Sequence, residues 1–160
     1  MDAIAYRPIG RIHSPFPSRE NMPIQPTGAL GTPGTVRVFE EYEEGLSDLE
    51  GFSHLFLVYH FHLTRETRLR VVPFLDKVPR GVFATRSPNH PNPIGLSVVR
   101  LLGIDGRTLH IEDVDVVDST PLLDIKPYVP AFDQRDSVRT GWMQSALARV
   151  ESQRSDGRFR

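Results

Sequence analysis

The sequence predicts a mainly β protein: a compact antiparallel β-barrel with one C-terminal helix. Three observations carry that expectation. Between residues 54 and 63 the side chains alternate strictly, with Leu55, Leu57, Tyr59, Phe61 and Leu63 on one face and His54, Phe56, Val58, His60 and His62 on the other; a repeat of two belongs to a strand. Short apolar runs of this kind, six or seven in all, recur along the chain between Gly- and Pro-rich turns, a spacing that suits closure into a barrel. A helical stripe occurs only late, at Val138, Trp142, Ala146 and Val150, and predicts a helix over 138–150 packed on the barrel or on a partner subunit.

Taken in order, Ile9 to Ile12 reads as a strand that must stop at Ser14-Pro15, because a proline restricts the residue before it and donates nothing to a ladder. Residues 15–34, PFPSRENMPIQPTGALGTPG, hold five prolines and three glycines and form a long irregular loop, a feature that in compact domains tends to be functional or mobile. The GALGTPG within it has the wrong spacing for a dinucleotide fingerprint and no helix follows, which argues against a Rossmann-type site. Thr35 to Phe39 is the second strand, and an acidic turn-like segment from Glu40 to Glu50 leads into the alternating strand. Leu69 to Phe74 reads as a further strand, limited by Pro73.

Gly81 to Val99, GVFATRSPNHPNPIGLSVV, reads as strand, turn, strand. Pro88, Pro91 and Pro93 make its connection irregular but stiff, so that Arg86, Ser87, Asn89, His90 and Asn92 are held in place, and Gly95 opens the second strand with no side chain to keep a ligand away. Ile94 to Leu102 is then a strand, Gly103 to Gly106 a tight turn, and Leu109 to Val117 pairs back, with a parity change at Glu112 and Asp113 that predicts a bulge. Residues 1–150 are read as a single domain and 151–160 as a disordered tail.

Composition narrows the classes. The chain has 160 residues, 39% hydrophobic and 24% charged, as a single globular domain requires. It has no cysteine, which excludes disulfides, thiolate metal sites and a cysteine nucleophile and suits a reducing cytoplasm. No run approaches the ~20 apolar residues needed to span a bilayer, and the N-terminus lacks a signal core; a cytoplasmic protein with no membrane partner is expected. A net charge of −1 provides no global field for a polyanion. Locally, residues 64–86 gather Arg65, Arg68, Arg70, Lys77, Arg80 and Arg86 against Glu66 and Asp76, a patch that either contacts phosphates or forms a solvated face.

Candidate chemistry clusters in three places. His60-x-His62 with Glu66 looks like part of a cupin metal motif, but the flanking glycines and a matching second motif are missing, so these histidines are read as pocket-lining polar groups and no metal is expected. Glu112, Asp113, Asp115, Asp118 and Asp124 form an acidic run suited to a hard cation, to hydrogen-bonded ligands or simply to solvent. Ser14, Ser53, Ser87, Ser97 and Ser119 all fall outside a G-x-S-x-G elbow, which counts against a hydrolase.

The Gly81–Val99 stretch, together with IGRIHSPF from Ile9, GFSHLFLVYHFH from Gly51, VDVVDSTP from Val114 and LLDIKPY from Leu122, resembles the TrmO-type family. These are S-adenosylmethionine-dependent methyltransferases acting on N6 of a modified adenosine beside the tRNA anticodon. The resemblance implies a β-barrel that binds S-adenosylmethionine without a Rossmann domain, as a homodimer with the site near the subunit interface, and tRNA as substrate. Position by position it implies cofactor contacts at Ile24, Gln25, Pro26, His62, Leu63, Arg86, Leu96, Glu112, Asp113, Val114 and Asp115. Asp118 or Asn92 would accept the proton or amino hydrogens of the methylated nitrogen, and Lys126 and Tyr128 would orient ligands. Leu63 stands where glutamine is common, His90 where arginine is common and Ser119 where glycine is usual; the C-terminal domain of longer bacterial members is not matched. Small-molecule methylation, a non-enzymatic module for a nucleoside-like ligand and, more weakly, a metal-dependent cupin-like barrel enzyme are the other readings.

Overall fold

The computed structural model describes residues 2–23 and 28–147. Its strands are β1 (Gly10–His13), β2 (Pro33–Val38), β3 (His54–His60), β4 (Arg70–Val71), β5 (Arg80–Gly81), β6 (Ile94–Asp105), β7 (Thr108–Glu112) and β8 (Thr120–Pro127), and the one α-helix among the described residues is α1 (Pro130–Asp133). Six strands close a barrel in the order β1, β2, β7, β6, β3, β8, while β4 and β5 pair separately. Every pairing is antiparallel. The seam closes where Gly10 faces Leu122 and Ile12 faces Thr120.

The predicted alternation of β3 fills the barrel. Leu55, Leu57 and Tyr59 are buried on its inner face, against Ile12, Val36, Val38, Val99, Leu101, Leu109, Ile111 and Leu122. The strand is shorter than the pattern suggested. After His60 the Phe61 amide bonds to Pro93 O at 2.8 Å and the His62 amide turns back to His60 O, because Pro93 has no N–H with which to extend the ladder.

Four other expectations are corrected. Leu69–Phe74 contributes only the two residues of β4. Val82–Ala84 is a 3-10 turn rather than a strand end, closed by the Thr85 amide on Val82 O. The β6–β7 ladder shifts register between Leu101 and Gly103, and the β3–β8 ladder between Val58 and Tyr59, whereas β7 ends at Glu112 and Asp113 takes a φ of 69°, its carboxylate accepting the distant Gly31 amide at 2.8 Å. The strand β8 is additional to the predicted set. In place of a helix over 138–150, the described part of that segment makes a 3-10 turn at Gly141–Met143, since Gly141 has a φ of 55°, outside the right-handed helical region. Residues 148–150 and the tail 151–160 lie outside the described residues, as do Ile24, Gln25 and Pro26. No helix among the described residues is long and apolar enough to cross a membrane.

Candidate active site

Beside the C-terminal end of β3 lies a cavity of about 1330 Å³. Its wall comes from segments distant in sequence: Tyr59 with the turn after β3, the loop around Arg86, the start of β6, the buried stretch Asp115–Val117, and Trp142 with Met143. The loops are braced by ordinary hydrogen bonds. Buried Asn89 donates from Nδ2 to Glu66 O at 2.8 Å while its backbone carbonyl accepts the Arg68 amide at 3.0 Å. His90 Nε2 lies 3.1 Å from Thr85 O, so that nitrogen carries the proton. Trp142 Nε1 donates to Ala84 O at 2.8 Å, and its ring lies 5.5 Å from the Arg80 guanidinium.

Beneath this wall runs a buried polar chain. Tyr59 Oη is 3.0 Å from Ser97 Oγ, and Ser97 Oγ donates to Asp115 Oδ1 at 2.6 Å. Tyr59 faces Gly95 across the β3–β6 ladder, and its ring occupies the space that a Cβ at Gly95 would need; the glycine is what lets the phenol reach Ser97. Burial pushes the Asp115 carboxyl up to about 7, against the Ser97 hydroxyl and the Arg86 charge, which favour the ionised form. Burial, and then the Asp115 charge, push the Tyr59 phenol far above its ordinary value. His62 is held below the usual imidazole range by burial and by the charges of His60 and Arg11. Two wall hydroxyls, Thr64 Oγ1 and Ser87 Oγ, are buried without a hydrogen-bond partner, a cost of ~1–3 kcal/mol each that a polar ligand group could relieve.

The structure brings His62, Leu63, Arg86, Leu96 and Asp115 to one wall. It does not bring the neighbours of Asp115 with them. Glu112 lies 3.6 Å from Arg100, Asp113 holds the Gly31 amide, and Val114 is 1% exposed within the barrel core. Asp118 accepts the Ser14 amide at 3.1 Å and meets His13 Nδ1 at 3.2 Å and Ser119 Oγ at 3.0 Å; desolvation raises its pKa, but these hydrogen bonds outweigh it and hold the carboxyl below the usual range. Asn92 is exposed, its backbone carbonyl accepting the Ile94 amide at 2.7 Å. Lys126 pairs with Asp124 at 2.9 Å, and Tyr128 packs edge-on to Phe56, near the start of β3 and so at its far end from Tyr59. Among the described residues no group of three or more His, Asp or Glu lies close enough to hold a metal ion.

With this geometry in view, the model of the tRNA-methyltransferase O N-terminal domain matches residues 11–134. The chain belongs to the TrmO family. It is 54% identical, over 98% of its length and 85% of the relative's, to a probable S-adenosyl-L-methionine-binding protein of Pyrococcus abyssi. It is 36% identical to the tRNA (adenine(37)-N6)-methyltransferase of Escherichia coli over 92% of its length and 67% of that protein. The crystal structure of TrmO from Pseudomonas aeruginosa matches with a TM-score of 0.74 at 37% identity, over 88% of this chain and 63% of that one. The chain thus spans less than two thirds of that TrmO structure.

Sequence reasoning missed Tyr59 and Ser97 as site residues. Both follow the inward parity of their strands, and each carries a hydroxyl into an apolar core, which is the available signal: a buried hydroxyl needs a partner.

Proposed function

We propose that this TrmO-family chain is an S-adenosylmethionine-dependent methyltransferase whose acceptor is N6 of a modified adenosine beside the tRNA anticodon. The observation that carries the reading is the convergence of His62, Leu63, Arg86, Leu96 and Asp115 on one cavity. The donor set fits the cofactor. Arg86 offers a planar, permanently charged fork for its carboxylate, the unpartnered Thr64 and Ser87 hydroxyls offer hydrogen bonds for its polar groups, Tyr59, Phe61 and Trp142 offer aromatic surface, and Asp115 and Glu20 offer negative charge toward a sulfonium. Bound there, the cofactor supplies an electrophilic methyl group. The protein's part is to hold the acceptor nitrogen in line and to exclude water, from which much of the rate can come.

The curated names of the relatives support this reading unevenly, since the Pyrococcus relative is named for binding and the Escherichia relative for the transfer. Turnover decides between them. A homodimer belongs to the same proposal: Phe83 is 77% exposed and Leu96 50% exposed, leaving apolar surface for a partner near the cavity. Isothermal titration with S-adenosylmethionine, S-adenosylhomocysteine and ATP comes first, then methyl transfer to an anticodon-stem RNA carrying the modified adenosine. Saturable binding of the first two and not ATP, followed by transfer, is expected; binding without transfer to RNA would leave the small-molecule or ligand-binding reading, and no binding would overturn the assignment.

A further inference from the structure

Resting on that methyltransferase reading, we propose that Asp115 is the proton acceptor of the transfer, held in place by a one-directional hydrogen-bond chain that runs from Tyr59 through Ser97. The direction follows from counting protons. An ionised carboxylate only accepts, so Ser97 spends its single hydroxyl proton on Asp115 Oδ1 at 2.6 Å. Ser97 Oγ must then accept, and the Tyr59 hydroxyl, 3.0 Å away, donates to it. Both donors point toward Asp115, and the Asp115 backbone amide and the Arg86 charge also favour its ionised form. Tyr59, Ser97 and Asp115 are 4%, 2% and 8% exposed, while Tyr59 and Asp115 both line the cavity. A carboxylate fixed through Oδ1 in the wall of the cavity is arranged to receive a proton from a bound ligand.

Asp118 is arranged differently. Both of its oxygens are engaged, with the Ser14 amide and His13 on one and Ser119 on the other, its side chain is 41% exposed, and its pKa is held down, all of which make it a weak base. Asp115, pushed up by burial to about 7, has the base strength that general-base catalysis near neutrality favours. Arg86 and Tyr59 act electrostatically on Asp115; the other ionisable groups on the cavity wall are Arg19, Glu20, His62, Arg65 and His90.

The step balances. The acceptor's N–H proton moves to Asp115 Oδ2, the electron pair of that bond stays on nitrogen, the new N–CH3 bond forms, and the pair of the broken S–CH3 bond stays on sulfur. The carboxylate ends neutral, with Ser97 and Tyr59 still hydrogen-bonded, and returns its proton to solvent once product leaves.

The test combines carboxyl 13C NMR of the full chain, with the Asp115 signal assigned by Asp115→Asn, and the pH profile of methyl transfer to the modified RNA. Asp115 is expected to titrate near neutrality in the free protein, the acid limb of kcat/KM to follow it, and Ser97→Ala to move both to higher pH, because a hydrogen bond to the ionised form has been lost. Asp115→Asn is expected to lower kcat at least about 100-fold with less than about tenfold change in cofactor Kd. Transfer by the wild type with kcat of Asp115→Asn within about threefold, or an acid limb indifferent to Ser97→Ala while the NMR midpoint moves, would overturn this assignment and leave the methyltransferase reading standing. Absence of cofactor binding and of transfer by the wild type, whatever the NMR shows, would overturn both.

Discussion

Replacing Asp115 with asparagine should stabilise the protein in a way that depends on pH, and the magnitude can be worked from its position. Asp115 is buried beside Ser97, and its carboxyl rises from 3.8 to about 7 on folding. The sign follows from linkage: a carboxyl with a raised folded pKa binds a proton more tightly in the native state, so its contribution is fully present below about 4 and is lost as pH climbs through about 7. At ~1.4 kcal/mol per pH unit the whole loss is about 4 kcal/mol, and the part falling between pH 5 and pH 8 is about 3 kcal/mol. Asparagine keeps the shape and an acceptor for Ser97 but never ionises. Thermal unfolding of both proteins at pH 5 and pH 8 should therefore show the variant gaining about 6–12 °C on the wild type between the two conditions, at ~2–4 °C per kcal/mol for a domain of this size. Groups common to both proteins cancel in that difference. A Tm difference that is the same at pH 5 and pH 8 would show that Asp115 is solvated and ionises normally, and would remove the physical basis for treating it as a neutral-range base.

Four further outcomes are expected. Gly95→Ala should lower stability by more than the ~1–3 kcal/mol of ordinary overpacking, because the new methyl falls within the Tyr59 ring; a Tm within a degree or two of wild type would mean the ring moves freely. Arg86→Ala should weaken S-adenosylmethionine binding by roughly 1.5–3 kcal/mol, about 10- to 150-fold, by isothermal titration, and unchanged affinity would reject its carboxylate role. Binding of the cationic cofactor at pH 7 should release about 0.3–0.5 proton, read from titrations in buffers of different ionisation enthalpy, since a nearby cation favours ionised Asp115, which is about half protonated when free; S-adenosylhomocysteine, with a neutral sulfur, should release less. Phe83→Asp should shift a homodimer to monomer in light scattering, and a wild type that is monomeric at micromolar concentration would refute the dimer.

Much of the barrel was legible because β3 and β6 repeat every two residues and bury one parity. Leu55, Leu57 and Tyr59 could be assigned inward from spacing alone, and the structure agrees. β8 was not legible for reasons in its own residues: Asp124 interrupts its apolar run, Pro121 and Pro127 flank it, and only Thr120 and Leu122 are fully buried. Its place is decided by pairing with β1 and β3, and pairing is not a local property. The late helix failed for the opposite reason. Val138, Trp142 and Ala146 have helical spacing, yet Val138 is 62% exposed and Gly141 turns the chain away from a helix. Spacing records which residues would share a face if the backbone were regular, and a glycine at positive φ removes that condition.

The site divides along the same line. Its motif residues are legible as types, an arginine after a strand, a histidine at a strand end, an acid among valines, because each type has few chemical uses. Which of several such residues meet is a question of topology. Asp115 and Asp118 are three residues apart in VDVVD and equally eligible in the sequence, but the chain between them is irregular and gives them opposite fates. One is drawn beneath the cavity onto Ser97, the other onto the Ser14 amide just past the end of β1. Burial then separates their proton affinities, lifting one carboxyl toward neutrality while hydrogen bonds hold the other low. Two chemically identical side chains thereby become a candidate base and a structural tether, and Gly95, whose missing side chain lets Tyr59 reach Ser97, decides how the buried one is oriented.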